Sequence, residues 1–318
     1  MEDLEVICIG MAVVDVLAKG VTQIPYDGST VYVEGISFCT GGDALNEAIT
    51  LARLGHRVGL MTLVGTDPQG NYIISQCQEN LVDTTAVTKI DDCPTSTSIV
   101  LVNEGGERSF LSEQGTSIDR FSLEHIDLDY IRPGLRVLSV GSLFCGKALD
   151  SKALIRVLAK AKSVGATTIA DFVTSSRSPD LESISGVLQL LDYVVPSKEE
   201  AVCYAGKNDP DEIADVFFSY GVPNVIIKLG REGAFAKSLT DRFAAGLYPS
   251  VVVDTTGAGD NFVAGLISGL IRGHSLRESV KIGTATASIA IQSVGATTGI
   301  RSFAQVREVM EKNELALS

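Results

Sequence analysis

Apolar positions along this chain follow two spacings. Short apolar runs at 4–10, 58–64, 137–140, 167–170, 193–195 and 225–229 predict buried strands. Between them apolar residues recur at helical intervals, notably over 153–164 and 213–220. Strands alternating with helices predict a mainly parallel sheet with helices on both faces, a three-layer α/β sandwich. Ligands bind such sheets at the carboxyl ends of the strands. Two stretches break the alternation. The first has turn residues, Pro25-Tyr26-Asp27-Gly28, and then β-like Val31-Tyr32-Val33 and Ile36-Ser37-Phe38. In the second, Ser98-Ile99-Val100-Leu101-Val102 and Arg108-Ser109-Phe110-Leu111 flank Asn103-Glu104-Gly105-Gly106-Glu107, a hairpin signal. Segments 15–40 and 95–111 are therefore expected to form a small β lid on a single domain spanning 1–318.

The densest chemistry lies near the C-terminal end. Val251-Val252-Val253 predicts the end of a buried strand, and Asp254-Thr255-Thr256-Gly257-Ala258-Gly259-Asp260 follows. Phe262, Val263, Leu266, Ile267, Leu270 and Ile271 then form one face of a helix that stops at Gly273. A turn without side chains at a helix start leaves N–H groups open to an anion. Asp260 at that start is either an N-cap or a carboxylate placed to take a proton from an attacking hydroxyl.

A second glycine turn, Gly41-Gly42-Asp43-Ala44-Leu45-Asn46, opens a helix that runs to Gly55. The glycine pair permits close backbone approach, and Asn46 can donate to and accept from neighbouring hydroxyls. Asp15, just past the first strand, is by itself a turn or cap residue. Ser197 and Glu200 have capping-box spacing, and Lys228 ends a strand. His56, His125 and His274 lack a partner pattern and are expected at the surface.

Composition narrows the function. The 318 residues can bury a sizeable core, and 26 basic against 39 acidic residues give a net charge of −13. That balance argues against nucleic acid or an anionic membrane as partner. Cys8, Cys39, Cys77, Cys93, Cys145 and Cys203 show no C-x-x-C pair and are expected as reduced thiols in a cytoplasmic protein. Glu2, Asp3 and Glu5 carry the wrong charge for a signal peptide, and no apolar run reaches the ~18 residues of a membrane span. Only Gly10-Met11-Ala12 follows the first strand, so the dinucleotide fingerprint is missing. Neither Gly146-Lys147 nor Gly206-Lys207 continues as a P-loop.

The 254–265 stretch resembles the C-terminal signature of the ribokinase-like (PfkB) carbohydrate kinases. Gly41-Gly42 with Asn46, closing in Arg53-Leu54-Gly55, resembles their N-terminal signature. The resemblance covers the whole chain. It implies a ribokinase-like fold and an ATP-dependent kinase in which Asp260 is the base. The Gly257-Ala258-Gly259 backbone would stabilise the transferring phosphoryl group. It implies sugar contacts from Asp15, Gly41, Gly42, Asp43 and Asn46, and nucleotide contacts from Ser197, Lys228, Gly230, Gly233 and Gly295. Glu200 would organise Mg2+, in part through water, though Ser197 stands where the family has Asn. Asp254 and Thr256 would hold a monovalent cation such as K+. At 43, members resembling ribokinase or phosphofructokinase carry Lys; an acid there suits a neutral ribose- or fructose-like sugar. Arg108 could reach an anionic group, which keeps a sugar acid in view, and Phe110 and Tyr32 could stack on a nucleoside. A non-catalytic sugar sensor on the same fold is the alternative of another class. A homodimer through the lid is left open, because an exposed sheet face needs covering.

Overall fold

The computed structural model describes residues 3–24, 26–105, 108–174 and 179–318. Thirteen strands follow in chain order: β1 (Val6–Gly10), β2 (Val13–Lys19), β3 (Gly35–Gly41), β4 (Val58–Gly65), β5 (Val87–Ile90), β6 (Thr97–Val102), β7 (Arg108–Ser112), β8 (Val137–Leu143), β9 (Thr167–Phe172), β10 (Tyr193–Val194), β11 (Asn224–Lys228), β12 (Ala234–Ser238) and β13 (Arg242–Ala245). Nine form one sheet in the order β13-β12-β11-β10-β9-β8-β1-β4-β5. Its strands run parallel from β11 to β5, and β12 and β13 add an antiparallel edge. Every residue of β1, β4 and β8 is buried, as expected of central strands covered on both faces. Two apolar layers flank the sheet, one built on Leu45, Leu51 and Leu266, the other on Leu138, Leu154 and Phe217. Each such side chain contributes roughly 1.5–3 kcal/mol by leaving water.

A second sheet, β3-β2-β6-β7, stands apart as the lid. Its pairing sorts side chains between two faces. Cys39, Asp15, Ser98 and Ser112 lie opposite one another in one row, and Phe38, Val16, Ile99 and Leu111 in the next. The first row shares its face with Arg108, which reaches the main body; the second faces outward.

Four expectations need correction. Val251, Val252 and Val253 form no strand and are 75, 61 and 51% exposed; valine supplies β propensity, but no neighbouring strand pairs with them. Val31-Tyr32-Val33 is likewise irregular, with Tyr32 at the surface. Asp15 sits within β2 instead of a turn. His56 is buried, hydrogen-bonded to Ser268 Oγ at 2.8 Å from a helix distant in sequence. Pro25 of the expected turn and Gly106-Glu107 of the expected hairpin lie outside the described residues.

Candidate active site

The cleft lies over the carboxyl ends of β1, β8, β9 and β11, under the lid. Its floor begins at the helix Ala258–Ile271, whose N-cap is Gly257. Gly257 has φ 70°, and a Cβ there would come within 2.6 Å of Ala296 Cβ. Only glycine fits that turn. The helix thus starts two residues before Asp260, and Asp260 is its third residue, not its cap. Ala258 N–H is used by Thr255 O at 3.2 Å. The N–H groups of Gly259 and Asp260 precede the first regular helical bond at the positive end of the helix, and that of Asp260 turns toward its own carboxylate. Lys228 Nζ lies over Gly259, so a fixed cation reinforces the same spot.

Helix Asp43–Arg53 faces this one. Its residues 43, 46, 47 and 50 share one side, following the i, i+3, i+4, i+7 rule. Asn46 Nδ2 donates to Asp260 Oδ2 at 2.7 Å, and Thr50 Oγ1 donates to Asn261 Oδ1 at 2.9 Å. Asn261 Nδ2 in turn donates to Gly257 O and Ala296 O, both at 2.6 Å. Asn46 Oδ1 is buried with no partner among the described residues, leaving one acceptor open. Asp43 accepts from Ser142 Oγ, and Glu47 accepts from Ser139 Oγ at 2.6 Å.

Carboxylates crowd this space. One oxygen from each of Asp43, Asp171 and Asp260 lies within 4.8 Å of the others. Burial, reinforced by the charge of Asp171, pushes the Asp260 carboxyl above its usual range, against the Asn46 hydrogen bond and Lys228. Burial and the charges of Asp260 and Asp171 push Asp43 well up as well. Glu47 is pushed well up, mainly by burial. Lys228 pairs with Asp171; burial opposes its charge, but Asp171 and Glu200 outweigh that and hold it protonated. On the lid, burial and the charge of Asp260 push Asp15 up to about 6, with Arg108 acting the other way. Gly41 has no room for a side chain, because a Cβ would strike the Asp15 carboxylate. Gly42 forms the N-cap of the Asp43 helix.

An open cleft of about 680 Å³ leads outward past Lys228, Gly230, Ser197 and Glu200. Ser197 pairs with Lys228 across a parallel bridge, and Gly233 closes the turn after Gly230. Ser197 and Glu200 do form a capping box: Ser197 N donates to Glu200 Oε2 at 2.7 Å, and Glu200 N to Ser197 Oγ at 3.3 Å. Burial and Asp171 raise Glu200. The oxygens of Glu200 and Asp171, both on this cleft, are the hard donors that magnesium takes, so the residues fit that ion.

Asp254, Thr256 and Gly295 lie elsewhere, below the lid. Asp254 Oδ1 accepts from Thr256 N at 2.9 Å, from Thr256 Oγ1 at 2.7 Å and from Arg108; Oδ2 accepts from Gly295 N at 2.9 Å. Burial works against its charge, but these donors outweigh it and keep Asp254 below the usual carboxylate range. The oxygens expected to hold a monovalent cation are thus largely occupied, and a guanidinium already balances the charge. Gly295 is close to Cys39 of the lid and does not line the cleft that Ser197 and Asp260 share.

Sequence reasoning did not single out Asp171, Glu47 or Ser142. Asp171 had a signal, since it follows the apolar run 167–170 at the carboxyl end of a strand. Glu47 sits one residue past Asn46 on the same helix, and only the fold brings it to Ser139.

The chain is similar to known proteins over nearly its whole length. The model of the "pfkB family carbohydrate kinase" matches residues 3–302. A 2-dehydro-3-deoxygluconokinase of Bacillus subtilis (strain 168) is 30% identical over 270 residues, 81% of this chain and 82% of that protein. A ribokinase of Staphylococcus aureus (strain COL) is 24% identical over 289 residues, 89% of this chain and 92% of that protein. Among solved structures, a putative ribokinase II from E. coli, in complex with ATP and Mg2+, superposes with a TM-score of 0.86 at 22% identity. That match covers 98% of this chain and all of the other. A family match over nearly the whole chain, on a parallel sheet with a separate lid, means that this protein belongs to the pfkB family of carbohydrate kinases.

Proposed function

We propose that this sugar kinase transfers the γ-phosphoryl group of ATP to a hydroxyl of a small neutral sugar, with Asp260 as general base. The observation that carries the proposal is the placement of the Asp260 carboxylate. It sits beside the N–H groups of a helix start, held by Asn46 and raised by burial. A raised carboxyl is a better proton acceptor, and the helix start with Lys228 offers positive charge to the phosphoryl group. Asn46 Oδ1 and Asp15 supply acceptors for sugar hydroxyls. The E. coli ribokinase II complex supports ATP and Mg2+ as the second substrate and its ion. Glu200 and Asp171 would hold the magnesium, which when bound would neutralise charge on the phosphates.

The neutral sugar is favoured by the charges at the acceptor end. Asp15, Asp43 and Asp260 face it, while Arg108 and Lys228 are each taken by a carboxylate. A sugar acid is the second reading, favoured by the deoxygluconokinase relative. ADP release measured over a panel of aldoses, ketoses, polyols and aldonates decides between them. Turnover confined to the aldonates overturns the neutral reading. On the best substrate, Asp260→Asn is expected to lower turnover about 10²–10⁴-fold, because Asn accepts the Asn46 hydrogen bond but not a proton. Its melting temperature and ATP affinity should stay near wild type. Retention of more than about a tenth of the turnover would remove Asp260 from the base role.

A further inference from the structure

Arg108 opens lid strand β7, and its guanidinium crosses to the body, where it pairs with Asp254 and reaches Thr255 Oγ1 at 3.3 Å. The pair is shielded: the side chains are 20% and 6% exposed. Asp254 is the knot of the floor. It holds Thr256, next to the Gly257 turn, and Gly295, next to the Ala296 carbonyl that Asn261 grips. A carboxylate buried there without a counter-charge would be costly, and would loosen both segments.

We propose that Arg108 is the resident counter-ion of Asp254, standing where a dissolved monovalent cation would otherwise be needed, and that it is a positioning residue. Through Asp254 it sets the phosphoryl-binding turn, and it does so only when the lid is down. The wild-type protein then has no use for K+, and removing the guanidinium creates a demand for it.

The test compares wild type, Arg108→Ala, Arg108→Lys and the double variant Arg108→Ala/Asp254→Asn. Thermal melting is followed in KCl and in choline chloride at equal ionic strength, with circular dichroism confirming the fold. Wild type and Arg108→Lys are expected to melt alike in both salts. Arg108→Ala should melt lower in choline chloride and regain about 2 °C or more in KCl. The double variant should lose this response, since an amide needs no counter-ion. A K+-specific rise in wild type, or a folded Arg108→Ala indifferent to K+, overturns the proposal.

The melting arm needs no substrate, so it stands apart from the reading of the sugar. The kinetic arm uses any sugar the wild type phosphorylates. Arg108→Ala should lose about tenfold or more in kcat with little change in sugar KM, and recover part with KCl or guanidinium chloride. A loss confined to sugar KM makes Arg108 a substrate contact and overturns the positioning role.

Discussion

Asp15 titrates in the range where cells and assays operate, because burial and the charge of Asp260 push it up to about 6. Above that value it is ionised and, as the proposed sugar contact, would accept hydrogen bonds from hydroxyls; below it the proton removes one acceptor site and the charge. Sugar KM is therefore expected to rise as pH falls from about 7 to about 5, and Asp15→Asn should flatten the step at a higher KM. A KM that does not change across this range would mean that Asp15 does not hold the sugar. At this scale the two glycine signatures were legible in the sequence, because a bare turn before a helical stripe is a local pattern. Asp171 was legible only as an acid at the end of an apolar run, and Glu47 was not legible at all. Each is a single acid beside an apolar run, and its meaning comes from strands brought together by the parallel sheet. His56 looked exposed for the same reason: what buries it is Ser268, far along the chain.

Among the elements, the turn before helix Ala258–Ile271 is tightly constrained. Gly257→Ala puts a Cβ in a left-handed conformation and against the backbone and side chain of Ala296. The expected cost is about 1–3 kcal/mol of stability, seen as a lower melting temperature, with a fall in turnover because the Gly259 and Asp260 N–H groups shift. Wild-type melting and turnover in this variant would show that the turn adapts without harm to the site. The parallel sheet and the lid followed from hydrophobic spacing, since buried parallel strands and half-exposed lid strands differ in period, whereas the order of the strands did not. Valines 251–253 misled because exposed and buried β-prone runs have the same composition; only the absence of a pairing partner separates them.

For the molecule as a whole, the outer lid face stands out. Ile36, Phe38, Ile99 and Leu111 are 66, 63, 42 and 54% exposed on one face of a four-stranded sheet. A second copy of the same face would match its chemistry, and a two-fold pairing would cover both at once. Light scattering is expected to find a dimer, and Phe38→Lys with Leu111→Lys a folded monomer; a monomeric wild type at micromolar concentration sinks the idea. If the proposed acceptor contacts hold, their division between body and lid has a kinetic meaning. Asn46 and Asp260 belong to the body and Asp15 to the lid. Water can sit against Asp260 as well as a hydroxyl can, but it is too short to span both sheets. An acceptor that touched both would hold the cleft shut, and the closed state would then gauge molecular length. Protection of ATP from hydrolysis would then rest on reach rather than on nucleophilicity.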